Sequence, residues 1–154
     1  MSAFFVDTSV LLKRYLTEIG SIWVLSWILP SSGNSIIVSD LTPVEIFSAL
    51  AKRRRMKELS ARRIPILQNE FMWNFAHEYV VTPIDSSILI QARQLVITYG
   101  ATHNLRAGDA VQLASAQKAA SILSQSITFV SADNDLLKVA AAEGFVIDDP
   151  KTHP

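Results

Sequence analysis

Short apolar runs of strand length alternate along this chain with longer stretches of helical periodicity, and no other feature constrains the fold as tightly. Ala3-Phe4-Phe5-Val6, Ser35-Ile36-Ile37-Val38 and Ile127-Thr128-Phe129-Val130 are short, β-branched or aromatic, and suit strands. Strands separated by helices pair in parallel, because the crossover helix carries the chain back to its starting edge. Strands are expected near 3–6, 35–39, 79–82, 127–130 and 145–147, and helices near 8–17, 21–29, 43–57, 60–77, 86–98, 105–121 and 134–143. Thr42-Pro43-Val44-Glu45 reads as a helix start, with Thr42 as N-cap, Pro43 first and Glu45 closing a capping box. Leu41 and Ile46 are placed for a hydrophobic staple. Gly144 suits the end of the last helix, and Pro30 with Ser31-Ser32-Gly33-Asn34 a turn before the second strand. No repeat, linker or low-complexity tract interrupts the pattern, so residues 1–154 are expected to form one α/β domain.

Four acids sit where this pattern passes into a helix. Asp7 follows the first apolar run, Glu45 comes after the second and Asp133 after the run ending at Val130; Asp109 lies within Leu105-Arg106-Ala107-Gly108-Asp109-Ala110. In an open parallel sheet such junctions share one edge, where α/β proteins place their ligands. Carboxylates gathered there repel by roughly 4 kcal/mol per pair at ~4 Å and an effective dielectric of ~20. A hard divalent cation such as Mg²⁺ is the expected neutralising agent, since it takes oxygen ligands and keeps bound water. Capping is the competing explanation, because an acid at a helix N-terminus contributes roughly 0.5–1 kcal/mol. Ser, Thr or Asn would cap as well, however, and acids stand at all four places. Ser9, Thr42 and Ser131 lie close by, either to cap instead or to orient metal-bound water.

The residues around these acids resemble the motifs of a known family, the PIN-domain nucleases. Asp7-Thr8-Ser9-Val10-Leu11-Leu12 looks like its opening motif, and Thr42-Pro43-Val44-Glu45-Ile46 with Ser48-Ala49-Leu50 is similar to its Glu-bearing segment. The stretch from Leu105 to Ala116, with Asp109-Ala110-Val111-Gln112-Leu113-Ala114 at its centre, resembles the third motif. Phe129-Val130-Ser131-Ala132-Asp133-Asn134-Asp135-Leu136-Leu137 resembles the fourth. Order and spacing agree from Ala3 to about Pro150, and within the family the chain looks most like VapC, the toxin half of type II toxin–antitoxin pairs. The resemblance implies a three-layer α/β/α sandwich around a central parallel sheet. It also implies one or two Mg²⁺ or Mn²⁺ ions held by Asp7, Glu45, Asp109 and Asp133, with Asp135 as the alternative fourth acid. The activity implied is hydrolysis of RNA phosphodiesters to a 5′-phosphate and a 3′-hydroxyl, restrained by a cognate VapB-like antitoxin. A homodimer is expected from the same resemblance and from a charged fraction of 18%, below the usual ~25%.

The formal net charge is zero, so attraction to nucleic acid has to come from a local patch. Lys52-Arg53-Arg54-Arg55, with Lys57, Arg62 and Arg63, supplies one. Its plain reading is a solvated helix end favoured by the dipole; its functional reading is RNA-phosphate contact through Arg53, Arg54 and Arg55. Arg106 either joins them or holds its loop by an ion pair. Trp23 and Trp27 share one helical face and read as core or dimer contacts. His77, His103 and His153 lack zinc-ligand spacing, and Asp85 reads as an N-cap. The absence of cysteine removes thiolate chemistry and disulfides, and no apolar stretch reaches the ~20 residues of a membrane span, so a cytoplasmic protein is expected. A catalytically silent PIN-type module binding RNA or protein is the main alternative. A receiver domain lacks its acidic pair beside Asp7, and a haloacid-dehalogenase-type phosphatase would need an acid where Ser9 stands.

Overall fold

A computed structural model describes residues 1–153. The chain runs β1 (Ala3–Val6), α1 (Thr8–Tyr15), α2 (Ser21–Ile28), β2 (Ser35–Ser39), α3 (Thr42–Arg55) and α4 (Arg63–His77). It continues through β3 (Val80–Thr82), α5 (Ser86–Tyr99), α6 (Ala107–Leu123), β4 (Thr128–Val130), α7 (Asn134–Ala142) and β5 (Val146–Asp148). The five strands form one sheet in the order β3-β2-β1-β4-β5, every pair parallel. Phe5 lies opposite Ile37 on one side and Phe129 on the other.

Alternation along the strands divides the core in two. Phe5, Ile37 and Phe129 point into one cluster with Ile88, Leu95, Leu113 and Leu136 of α5, α6 and α7. Val6, Ile36, Val38 and Val130 point into the other, against Leu11, Val24, Ile46 and Phe71 of α1, α2, α3 and α4. Both faces of the sheet centre are therefore dry, which explains the near-continuous apolar runs of β1 and β2. The result is an α/β/α sandwich with a central parallel sheet. Trp27 is buried and stacks on Phe4, while Trp23 stacks on His153. Among the described residues no helix is long and apolar enough to cross a membrane.

Two helix ends differ instructively in how they match the sequence. Gly144 closes α7 as expected: at φ +91° it donates to Ala141, and the Phe145 N–H reaches back to Ala140. The start of α3 does not follow the expected capping box. Leu41 is the N-cap, no side chain caps the helix, and Thr42 and Pro43 are already helical. Moving the start by one residue takes the Glu45 carboxylate out of capping range, and it turns to partners on other elements.

Candidate active site

The strand order reverses direction at β1, flanked by β2 on one side and β4 on the other. A crevice opens at the carboxyl edge of such a switch point. Asp7, the residue after β1, stands in this crevice, its backbone N–H donating to the Val130 carbonyl at 3.1 Å. It occupies the N-cap position of α1, yet its side chain makes no cap bond. Oδ2 accepts from Ser9 at 2.6 Å and from Ser131 at 3.0 Å. Those hydroxyls are held in turn by the Ala132 and Asp133 N–H groups, each at 3.0 Å. Ser9 of α1 and Ser131 after β4 thus fix one carboxylate oxygen, and no hydrogen bond from the described residues reaches the other.

Glu45 sits in the first turn of α3 and is reached from two other helices. Its Oε1 accepts from Thr8 Oγ1 of α1 at 3.0 Å and from Gln112 Nε2 of α6. On its other side the α6 backbone comes so close that a Cβ at Gly108 would lie 3.0 Å from Oε2. Asp109, in the first turn of α6, accepts the Arg106 backbone N–H (3.1 Å) and the Arg106 Nε (3.1 Å) on Oδ2. Arg106 Nη2 also reaches Asp133 Oδ2 at 3.3 Å, so one guanidinium bridges two of the four acids. Asp133 is a full N-cap as well, its Oδ1 accepting from the Asp135 and Leu136 N–H groups at 2.9 and 3.1 Å. Asp135 lies in that first turn and faces Lys138 at 3.9 Å.

Asp7, Glu45 and Asp109 line one cleft of about 610 Å³, with Lys52, Arg53 and Arg106 as its basic members. Asp133 is not part of that lining. Burial pushes the Asp7 carboxyl up to about 6; the Ser9 and Ser131 hydroxyls oppose the rise, while the charges of Glu45 and Asp109 add to it. The lining acids offer only oxygen donors, which fits a hard divalent cation by donor type and charge. Among the described residues no three His, Asp or Glu side chains are gathered tightly enough to enclose a metal ion, so water has to complete any coordination shell.

On the basic side, Arg53 pairs with Glu18 and, at 2.9 Å, with Glu58, the hydrogen bond to Glu58 raising its pKa most. Arg54 and Arg55 are exposed in the last turn of α3, with no ion pair among the described residues. Asp85 caps α5 through the Ile88 N–H at 3.2 Å, as its position suggests. Sequence reasoning did not single out Thr8 or Gln112 as site residues. The usable signal for Gln112 was an amide three residues after Asp109, on the same face of the helix.

A family model described as "PIN domain" matches residues 4–142. No curated protein matches the sequence. Among solved structures, PAE2754 from Pyrobaculum aerophilum aligns with a TM-score of 0.65 at 18% identity, over 99% of this chain and 92% of that one. A toxin–antitoxin complex from Klebsiella pneumoniae aligns at 0.55 and 17% identity, over 96% and 98% of the two chains. VapBC-5 from Mycobacterium tuberculosis, a member of the VapBC family of toxin–antitoxin systems, aligns at 0.55 and 15%, over 97% and 98%.

Proposed function

The chain belongs to the PIN-domain family, a nuclease family, and on that premise we propose that it is a Mg²⁺- or Mn²⁺-dependent endoribonuclease acting as a toxin held in check by an antitoxin. The observation that carries the proposal is the buried Asp7 carboxyl, raised to about 6 in a cleft it shares with Glu45 and Asp109. A fold that drives anionic groups together beside an open cleft has kept a cost that a bound cation would relieve. The toxin role rests on likeness of fold to two toxin–antitoxin structures.

Asp7, Glu45 and Asp109 are assigned as metal ligands, with Asp133 completing the acidic set from the α7 side. When bound, a divalent cation supplies a lowered pKa for water and charge neutralisation at the scissile phosphate. Ser9 and Ser131 keep Asp7 Oδ2 oriented, leaving Oδ1 for the cleft. Lys52 and Arg53 line the cleft beside the acids, and Arg54 and Arg55 extend the positive surface along α3, where an RNA backbone has to pass. Water oxygen bonds to phosphorus as the bond to the 3′-oxygen breaks, leaving a 5′-phosphate and a 3′-hydroxyl.

The Arg106 bridge between Asp109 and Asp133 favours a second reading, a silent module whose guanidinium permanently replaces the metal. Incubating single-stranded and structured RNA with the protein, with Mg²⁺ or with EDTA, separates the two. Cleavage that needs Mg²⁺ and disappears in Asp109→Asn supports the nuclease. RNA bound but left intact supports the silent module, and cleavage persisting in EDTA rejects the metal assignment.

A further inference from the structure

Gln112 is fully buried and stands where three helices meet. It lies one turn beyond Asp109, so α6 presents both residues on one face. Its Nε2 donates to Glu45 Oε1 and lies 3.3 Å from Thr8 Oγ1 and 3.4 Å from Thr42 Oγ1. Glu45 is an acceptor, so the amide must turn its NH₂ group toward it, and the two hydrogens serve the carboxylate and the threonine oxygens. The opposite end is the informative one. With the NH₂ so committed, Gln112 Oε1 is buried without a hydrogen-bond partner among the described residues. Leaving such an acceptor unpaired is unfavourable, and an apolar side chain of the same shape would avoid it. Packing alone therefore gives no reason for an amide here.

What the amide does is settle which oxygen of Glu45 is free. Thr8 and Gln112 both donate to Oε1, and Gly108 keeps a Cβ away from Oε2. We propose that Gln112 is a positioning residue: it holds the Glu45 carboxylate with Oε1 occupied and Oε2 turned to the cleft to receive the divalent cation. The proposal rests on the nuclease reading above. It assigns Gln112 no contact with metal or RNA, and it places the Thr8 hydroxyl in the same role from the opposite side.

The test uses Gln112→Met, which keeps the volume and loses the donor, with Thr8→Val as an independent removal of the second donor. Three quantities are measured: Mn²⁺ affinity by calorimetry without RNA, kcat and KM for RNA cleavage, and the melting temperature in EDTA. Gln112→Met is expected to weaken Mn²⁺ binding about tenfold and lower kcat, with KM for RNA unchanged. Its melting temperature in EDTA should be equal to or above that of the wild type, since the unpaired acceptor has gone. Thr8→Val should shift Mn²⁺ affinity the same way. A lower melting temperature in EDTA with unchanged Mn²⁺ affinity and kcat would make Gln112 a purely structural residue and overturn the proposal. If the wild type neither binds Mn²⁺ nor cuts RNA, the nuclease reading falls separately. The hold on Glu45 is then judged by melting shifts in EDTA for Gln112→Met, Glu45→Gln and the pair: additive shifts overturn it and non-additive shifts sustain it.

Discussion

Burial pushes the Asp7 carboxyl up, and the sign of that rise fixes a measurable pH dependence. Its folded pKa of about 6 lies above the ordinary aspartate value, so the folded state binds the proton more tightly than the unfolded chain does. Its contribution to stability is present below pH ~4 and is lost as pH rises to about 6, beyond which it stays flat. Asp7→Asn keeps an oxygen for Ser9 and Ser131 and removes the charge. Metal-free Asp7→Asn is therefore expected to be more stable than the wild type by about 1–3 kcal/mol at pH 7.5, and by much less at pH 4.5, in urea melts. It should also be inactive on RNA. Gly108→Ala probes the neighbouring acid, since the new Cβ would sit 3.0 Å from Glu45 Oε2. Alanine suits a helix better than glycine by about 0.5–1 kcal/mol, so stability should hold or rise while Mg²⁺-dependent cleavage falls at least several-fold. Equal cleavage by Gly108→Ala and wild type would show that this carboxylate oxygen tolerates displacement.

Elements were legible wherever a local pattern decides them, and illegible where distant residues compete for the same side chain. The strands 3–6 and 35–39 and the helix starts at residues 8, 21, 86 and 134 follow from apolar runs and their boundaries alone. The start of α3 does not. Thr42 through Glu45 satisfy the capping-box pattern, but the Thr42 hydroxyl faces Gln112 and Glu45 is taken by Thr8 and Gln112. Seventy residues separate Thr42 from Gln112, and 104 separate Thr8 from it, so no window along the chain could show the contest. The same holds for the link between α1 and the end of α4. Tyr15 donates to Asn74 Oδ1 at 2.8 Å and shares a hydrogen bond of 2.8 Å with the Tyr79 hydroxyl. Arg14 reaches Tyr79 at 2.9 Å and Glu78 at 2.7 Å. Burial pushes both tyrosine hydroxyls upward, so they stay neutral at working pH. Tyr15→Phe would leave Asn74 and Tyr79 short of a partner and should cost about 1–2 kcal/mol in a urea melt. Cleavage per folded molecule should be unchanged, because the network lies at the far end of α1 from Asp7.

At the scale of the whole molecule, zero net charge means that RNA binding depends on where the cations stand rather than on how many there are. The double substitution Arg54→Ala with Arg55→Ala should weaken RNA binding at low salt and flatten its dependence on salt, each lost phosphate contact lowering the slope by roughly 0.7 for a single strand. A slope unchanged in the double variant would remove both residues from the RNA path. Mg²⁺ titration should raise the melting temperature through binding to the folded state alone, and Asp7→Asn should blunt that rise. A flat titration to millimolar Mg²⁺ would count against the site. The position of β1 has one more consequence. It is the central strand, with two others on each side and both faces packed, so it has little freedom to fray. Asp7 is anchored at its end, so its carboxylate cannot leave the cleft by fraying of the strand. A proton or a cation arriving from solvent can still ease the Asp7 charge, which ties the end of the central strand to its ionic surroundings.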